Sequence, residues 1–194
     1  MWYLYLIIFW LGTSVDIPLQ DHQYDIIVQD VVMGQATAST ETKGAVKVYR
    51  NTSVSQINFL KKIEVKLEQK AVYENGLMQY AETKTMVNDR LHRHIRIQKV
   101  EDGYRVTTSD DSKKVKVPIR YSGILLMLKE PVEVSRSYSE NDAEFHKIEA
   151  LGEGRYLKTA PNGRKNYYQY RNGKLVEATV DAGWYTFEMQ LQKN

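Results

Sequence analysis

The sequence predicts an all-β protein: an antiparallel meander curled into a barrel or half-barrel around one short apolar helix, with a β-sandwich as the alternative. Three observations carry that expectation. Turn pairs recur along the whole chain, at Met33-Gly34, Lys43-Gly44, Asn75-Gly76, Asp102-Gly103, Asn162-Gly163 and Asn172-Gly173 among others, and Asn-Gly and Asp-Gly pairs supply the positive φ angles that two-residue hairpins need. Between the turns apolar and polar residues alternate with period two, as in Ile63, Val65 and Leu67 against Lys62, Glu64, Lys66 and Glu68. Fourteen Tyr stand against four Phe, and Tyr suits half-buried strands because its ring packs while its hydroxyl tolerates a wet edge.

Composition narrows the class further. The chain has 194 residues, 42% hydrophobic and 26% charged, which excludes collagen, coiled coil and wholesale disorder. That length fills one hydrophobic core and is short for two, and no linker or low-complexity block divides it, so residues 15–194 read as a single domain. Lys and Arg number 27 against 24 Asp and Glu, a net charge of +3, too mild for a dedicated nucleic-acid binder that must neutralise phosphates. The chain has no cysteine, which removes disulfides, thiolate metal sites, a Cys nucleophile and a lipid-modified cysteine.

The elements follow in chain order. Residues 1–11 (MWYLYLIIFWL) form an uncharged apolar run, and Gly12 and Ser14 are small residues two apart. This is the shape of a signal peptide, residues 1–14, cleaved after Ser14. The run is well short of the roughly 20 residues of a membrane-spanning helix. Its n-region lacks Lys and Arg, and Trp2, Tyr3, Tyr5, Ile7 and Ile8 would also suit a buried N-terminal strand. Cleavage would start the mature chain near Val15 in the periplasm or outside the cell, without a transmembrane or lipid anchor.

Beyond it, Val46 and Val48 alternate with Lys47, and Val115 and Val117 with Lys114 and Lys116. Residues 59–73 also fit a charged helix, but their strict alternation and the Asn75-Gly76 turn favour a strand, returned by residues 77–88. Residues 122–128 (SGILLML) are apolar on every side, with Ser122 as a possible cap and Pro131 as a stop. They read as a short helix plugging the core, the alternative being a fully buried strand. Tyr185, Phe187, Met189 and Leu191 then face one way, and Thr186, Glu188, Gln190 and Gln192 the other. In all, roughly ten to twelve strands are expected without a long crossover. Lys-rich strand faces argue against a barrel whose outside meets lipid.

A family resemblance rests on several of these residues. The Tyr24-Asp25-Ile26-Ile27-Val28 strand followed by Met33-Gly34, the Ala71-Val72-Tyr73-Glu74-Asn75-Gly76 hairpin, the Lys129-Glu130-Pro131 exit and the paired Asn-Gly turns of residues 157–176 resemble an exported, Gram-negative bacterial family. That family is catalogued as a domain of unknown function, numbered six-one-three-four. The similarity runs from Tyr24 to about Leu191. It implies a secreted or periplasmic all-β protein and brings no activity with it.

Residues that could carry chemistry are few. His92 and His94 share one face of a strand, as a two-ligand metal half-site requires, but Arg90, Arg93 and Arg96 oppose a cation, and solvent-facing histidines are the simpler reading. Glu140, Asp142 and Glu144 lack EF-hand spacing and read as a surface loop. The serines sit in none of the nucleophile contexts, and Gly152-Glu153-Gly154 reads as a turn. No cofactor is expected. Tyr156, Tyr168, Tyr170, Trp184 and Tyr185 could line one surface with rings, near Arg155, Lys158, Arg164, Lys165 and Arg171, and are the ligand-binding candidates. The alternative is cross-strand aromatic pairing that stabilises the sheet.

The expectation is therefore a non-enzymatic binding module for a lipid-like or amphipathic small molecule. The alternative is a structural or assembly protein of the cell envelope that binds another protein or a glycan. Intact mass spectrometry of protein purified from its native envelope fraction should show a chain beginning near Val15; a mass retaining residues 1–14 would return that segment to the fold.

Overall fold

The computed structural model describes residues 17–58, 62–183 and 185–192, so the leader segment and Trp184 lie outside the described residues. Strands β1 (Ile17–Val28), β2 (Val31–Lys43), β3 (Val46–Asn58), β4 (Lys62–Glu74), β5 (Leu77–Val87), β6 (Arg90–Val100), β7 (Gly103–Thr107) and β8 (Ser112–Val115) form one run of hairpins. A second run comprises β9 (Arg136–Ser139), β10 (Glu144–Gly152), β11 (Arg155–Thr159), β12 (Lys165–Arg171), β13 (Lys174–Asp181) and β14 (Thr186–Leu191). The runs join through their ends: β1 pairs with β14, Tyr24 opposite Leu191 and Ile26 opposite Met189. The described residues thus form one fourteen-stranded antiparallel sheet in which the first and last strands are neighbours in the middle.

The edges of this sheet are β8 and β9, which are adjacent in sequence. The meander is a ring of hairpins left open at one seam, and the connection across the seam passes through the interior. On its way the Ile119 carbonyl accepts from Met78 N–H on β5 at 2.9 Å, and the Tyr121 carbonyl accepts from Tyr138 N–H on β9 at 3.0 Å. It then winds into a 3₁₀ helix, Gly123–Met127, whose Ile124, Leu125, Leu126 and Met127 are buried. This plug touches β3 and β4 on one side and β9 and β13 on the other, which curls the sheet around it. The barrel-like curl and the short apolar helix agree with the sequence, and the stacked-sandwich alternative is set aside.

Three details differ from the sequence reading. There are more strands than expected because the turns at Gln29-Asp30 and Asn88-Asp89 contain no glycine; all four residues take positive φ, between 49° and 62°, which Asn and Asp tolerate best among residues with side chains. Met33-Gly34 is no turn: Gly34 lies inside β2 opposite Ser55, and a Cβ there would meet the Val54 carbonyl oxygen at 2.2 Å. Its glycine serves close approach of two backbones. Ser122 makes no capping hydrogen bond from its side chain; instead its Oγ accepts from the Tyr73 hydroxyl at 2.8 Å.

Residues 59–73 resolve as predicted where described, with Lys62–Glu74 a strand and Leu77–Val87 its return. Buried tyrosines explain the bias against Phe. A 3₁₀ helix leaves its last carbonyls without intrahelical partners, and these are buried. Tyr170 donates its hydroxyl to the Leu126 carbonyl at 2.6 Å, and Tyr24 donates to the Met127 carbonyl at 2.6 Å. Tyr121 donates to the Lys129 carbonyl just beyond. Each ring also contributes apolar packing, with Tyr156 edge-on to Tyr170 at 5.5 Å and Tyr49 edge-on to Tyr73 at 5.6 Å.

Tyr170→Phe keeps the ring and leaves a buried carbonyl unpaired, so urea unfolding should show a loss of about 1–3 kcal/mol. Tyr167→Phe, on the outer face at 47% exposure, should stay within about 0.5 kcal/mol of the parent.

Candidate functional site

The plug fills one end of the curled sheet. Over its other side the concave face holds a cavity of about 530 Å³ whose floor includes Gly123, Leu126 and Met127. The strand periodicity determines what lines it. Val65, Leu67 and Gln69 of β4 point in together, as do Phe187 and Met189 of β14, Ile26 of β1 and Val180 of β13. In the ring of strands, the β1–β14 junction lies across from the seam. The apolar side chains of β1 and β14 therefore lie opposite the seam, with Ser53 and Ser55 of β3 and Asp181 of β13 to either side, and the strongly charged wall, with Arg93, Glu140, Asn141, Asp142, Lys158 and Arg164, is built beside the seam. The volume falls in the roughly 300–1,000 Å³ range of small-molecule sites. A second hollow of about 540 Å³ lies at the seam itself, between the turn after β7 and the turns before β10 and β12, and shares Arg93, Asn141, Asp142, His146 and Arg164 with the first.

The turn between β9 and β10 organises the polar wall. Sequence reasoning placed Glu140, Asp142 and Glu144 on a surface loop, and only Glu144 is exposed. Glu140 is 2% exposed. Its Oε1 accepts from the Ile124 N–H at 3.4 Å, and a Cβ at Gly123 would meet its Oε2 at 2.8 Å, so the glycine of the plug makes room for the carboxyl. Burial pushes the Glu140 carboxyl up from the usual range, against hydrogen bonds from the plug and the charge of Lys158. The Asn141 carbonyl accepts from Arg93 Nη1 at 2.8 Å, and its Oδ1 accepts from Gln69 Nε2 at 3.4 Å. Those two bonds tie the turn to β6 and β4 across the seam.

Three side chains attend Asp142. Ser139 donates its hydroxyl to Oδ2 at 2.9 Å, Arg164 donates Nη2–H to Oδ1 at 3.2 Å, and His146 Nε2 lies 3.2 Å from Oδ2. The neighbouring imidazole first, then the Ser139 hydroxyl and Arg164, hold its carboxyl far below the usual range in spite of burial. His146 is 3% exposed, and its Nδ1 has no hydrogen-bond partner among the described residues. Ala143, at φ 56°, turns the chain back into β10.

The other candidates fall in different places. His94 Nε2 lies 2.7 Å from Glu82 Oε1, where Arg96 Nε also donates at 3.2 Å, and these neighbours bring Glu82 down to about 2. His92 is exposed at the rim. Among the described residues no group of three or more His, Asp or Glu could hold a metal, and no helix is long and apolar enough to cross a membrane. Of the aromatic candidates, Tyr168 and Tyr185 line the cavity. Tyr156 and Tyr170 pack as a pair in the core, their hydroxyls donating to Glu130 Oε1 at 2.9 Å and to the plug. Trp184 lies outside the described residues. The sequence signals for the polar wall are Lys158, an inward position between Tyr156 and Ala160 in an alternating strand, and Arg164, both among the cations near the aromatic candidates.

Because the folded state depresses the Asp142 pKa, its ion pair with Arg164 and the hydrogen bonds to its carboxylate stabilise the fold above the ordinary Asp range near 4 and lose that contribution as pH falls below it. Asp142→Asn should cost about 1–2 kcal/mol at pH 7, the partial exposure of Arg164 limiting the loss. In urea unfolding across pH the variant and the parent should converge on acidification; a gap independent of pH would contradict this account.

Comparison with known proteins agrees with the architecture. A crystal structure described as a beta-barrel-like protein of domain of unknown function DUF1849, from Brucella abortus, is similar with a TM-score of 0.61 and 11% identity, covering 93% of this chain and 98% of that one. At such identity the likeness is one of fold. No curated protein matches the chain. The model of DUF6134, a domain of unknown function, matches residues 24–192, from the inward-facing Tyr24 of β1 through the last strand, and the chain belongs to that family.

Proposed function

We propose that the protein is an exported, non-enzymatic binding module that holds an amphipathic small molecule in its cup. The observation that carries this reading is the cavity of about 530 Å³, apolar around the β1–β14 junction and polar beside the seam. A molecule with a hydrocarbon part and a polar end matches both walls at once. Binding suits the chemistry of the lining better than catalysis, because its acids already serve the protein: Asp142 accepts from Ser139 and Arg164, Glu140 from the plug, and Asp181 from the Gly183 N–H at 2.7 Å. The apolar run of residues 1–11 supports delivery to the periplasm or beyond it.

A second reading, an envelope assembly protein, draws on one feature. Val31, Val32 and Leu91 are exposed at the β1–β2 and β5–β6 turns, which lie at one end of the sheet because alternate hairpins of a meander do. An apolar rim of this kind suits contact with a partner surface.

Native mass spectrometry of the protein from its envelope fraction, before and after organic extraction, separates the readings. The binding module should carry an extractable adduct of lipid size that disappears on extraction. A clean apo mass before extraction, together with an envelope protein crosslinked at the rim, would favour the assembly role instead.

A further inference from the structure

Three consecutive residues of the β9–β10 turn are each attended by a different cation. Arg93 donates to the Asn141 carbonyl at 2.8 Å, Arg164 donates to Asp142 Oδ1 at 3.2 Å, and the charge of Lys158 acts on Glu140. All three side chains line the cavity. Arg93 comes from β6 on one side of the seam, while Lys158 of β11 and Arg164 of the following turn come from the other.

Their neutralisation is unequal. Asp142 pairs with Arg164. Arg93 has a neutral carbonyl as its hydrogen-bond partner, and Lys158 makes no hydrogen bond and no ion pair among the described residues. Glu140 could have balanced Lys158, but it is buried against the plug, where its charged form is disfavoured. Two cations therefore border the cavity without a carboxylate in contact, Lys158 half-buried within it and Arg93 exposed at its rim, and each gains a charge-assisted contact from an anion placed beside it. The hydrocarbon-lined wall lies across from them.

We propose that this end of the cavity binds the anionic headgroup, carboxylate or phosphate monoester, of a single-chain amphiphile, with Lys158 and Arg93 as its ligands and the chain lying against Ile26, Leu67, Phe187 and Met189. The inference rests on the cup reading above and adds the sign and position of the headgroup. A guanidinium fork and an ammonium together suit either anion, so the probe has to distinguish them.

The test titrates the delipidated protein with oleate, oleoyl lysophosphatidate and monoolein, which share a chain and differ in headgroup. At least one of the two acids should bind about tenfold or more tighter than neutral monoolein, as a charge-assisted contact implies, and the tighter acid identifies the headgroup. Lys158→Met combined with Arg93→Gln should abolish that preference while monoolein binding stays within about twofold, and Lys158→Arg alone should retain it. Equal affinity of the parent protein for all three probes would overturn the headgroup assignment and leave the cup intact. Binding of none of them would overturn the cup as well. The comparison in the parent protein decides the matter even if the double variant fails to fold.

Discussion

The structure depends on keeping a short stretch of backbone satisfied inside a β-sheet. A 3₁₀ helix of five residues cannot pair its own terminal carbonyls, and Ile124, Leu125, Leu126 and Met127 of this one are buried. Tyrosine hydroxyls from β1 and β12 reach in to accept that task at Met127 and Leu126, while Tyr73 from β4 binds Ser122 at the other end. Strands far apart in sequence are thereby tied to a single element. Phenylalanine in place of Tyr170 would pack comparably and leave the Leu126 carbonyl stranded, a cost of about 1–3 kcal/mol, whereas the Met127 carbonyl also lies 3.2 Å from His22 Nδ1.

From that constraint the cup follows. A meander of short hairpins would close most simply by pairing its first and last strands, and this one does so through β1 and β14. It then has one remaining gap, between β8 and β9, and the connection there enters the interior instead of running outside. The plug occupies one end and keeps the opposing walls apart. The other end keeps a volume that the inward side chains do not fill. The same detour brings the β9–β10 turn inward, which is why its acids meet the plug and the cations of the seam.

The seam also sets the electrostatic asymmetry of the cavity. Strand edges and turns carry polar groups, so the wall nearest the seam is polar, and the wall at the uninterrupted β1–β14 junction is apolar. Asp142, fixed by Ser139, His146 and Arg164, stiffens that polar wall. The Arg93 bond to Asn141 holds β6 against it from across the gap. Structural hydrogen bonding and the composition of the cavity lining are thus consequences of one topological choice.

Local physics alone determined much of this protein. Period-two alternation at Val65 and Leu67, and at Phe187 and Met189, marked the inward faces correctly, because in a strand the facing of a side chain is fixed by its position in the chain. The apolar block at residues 124–127 had to be buried whatever the fold, and the Asn-Gly pairs had to turn. Gln29-Asp30 and Asn88-Asp89 turned without the glycine that would have announced them. What the tertiary structure decided is which strands meet across long separations. No local rule pairs β1 with β14, sends the segment before β9 through the interior, or folds Glu140 under Gly123. Burial of that carboxyl, and the gathering of Arg93, Lys158 and Arg164 around its turn, arise from closure of the sheet, whose contacts span most of the chain and leave no periodic trace in it.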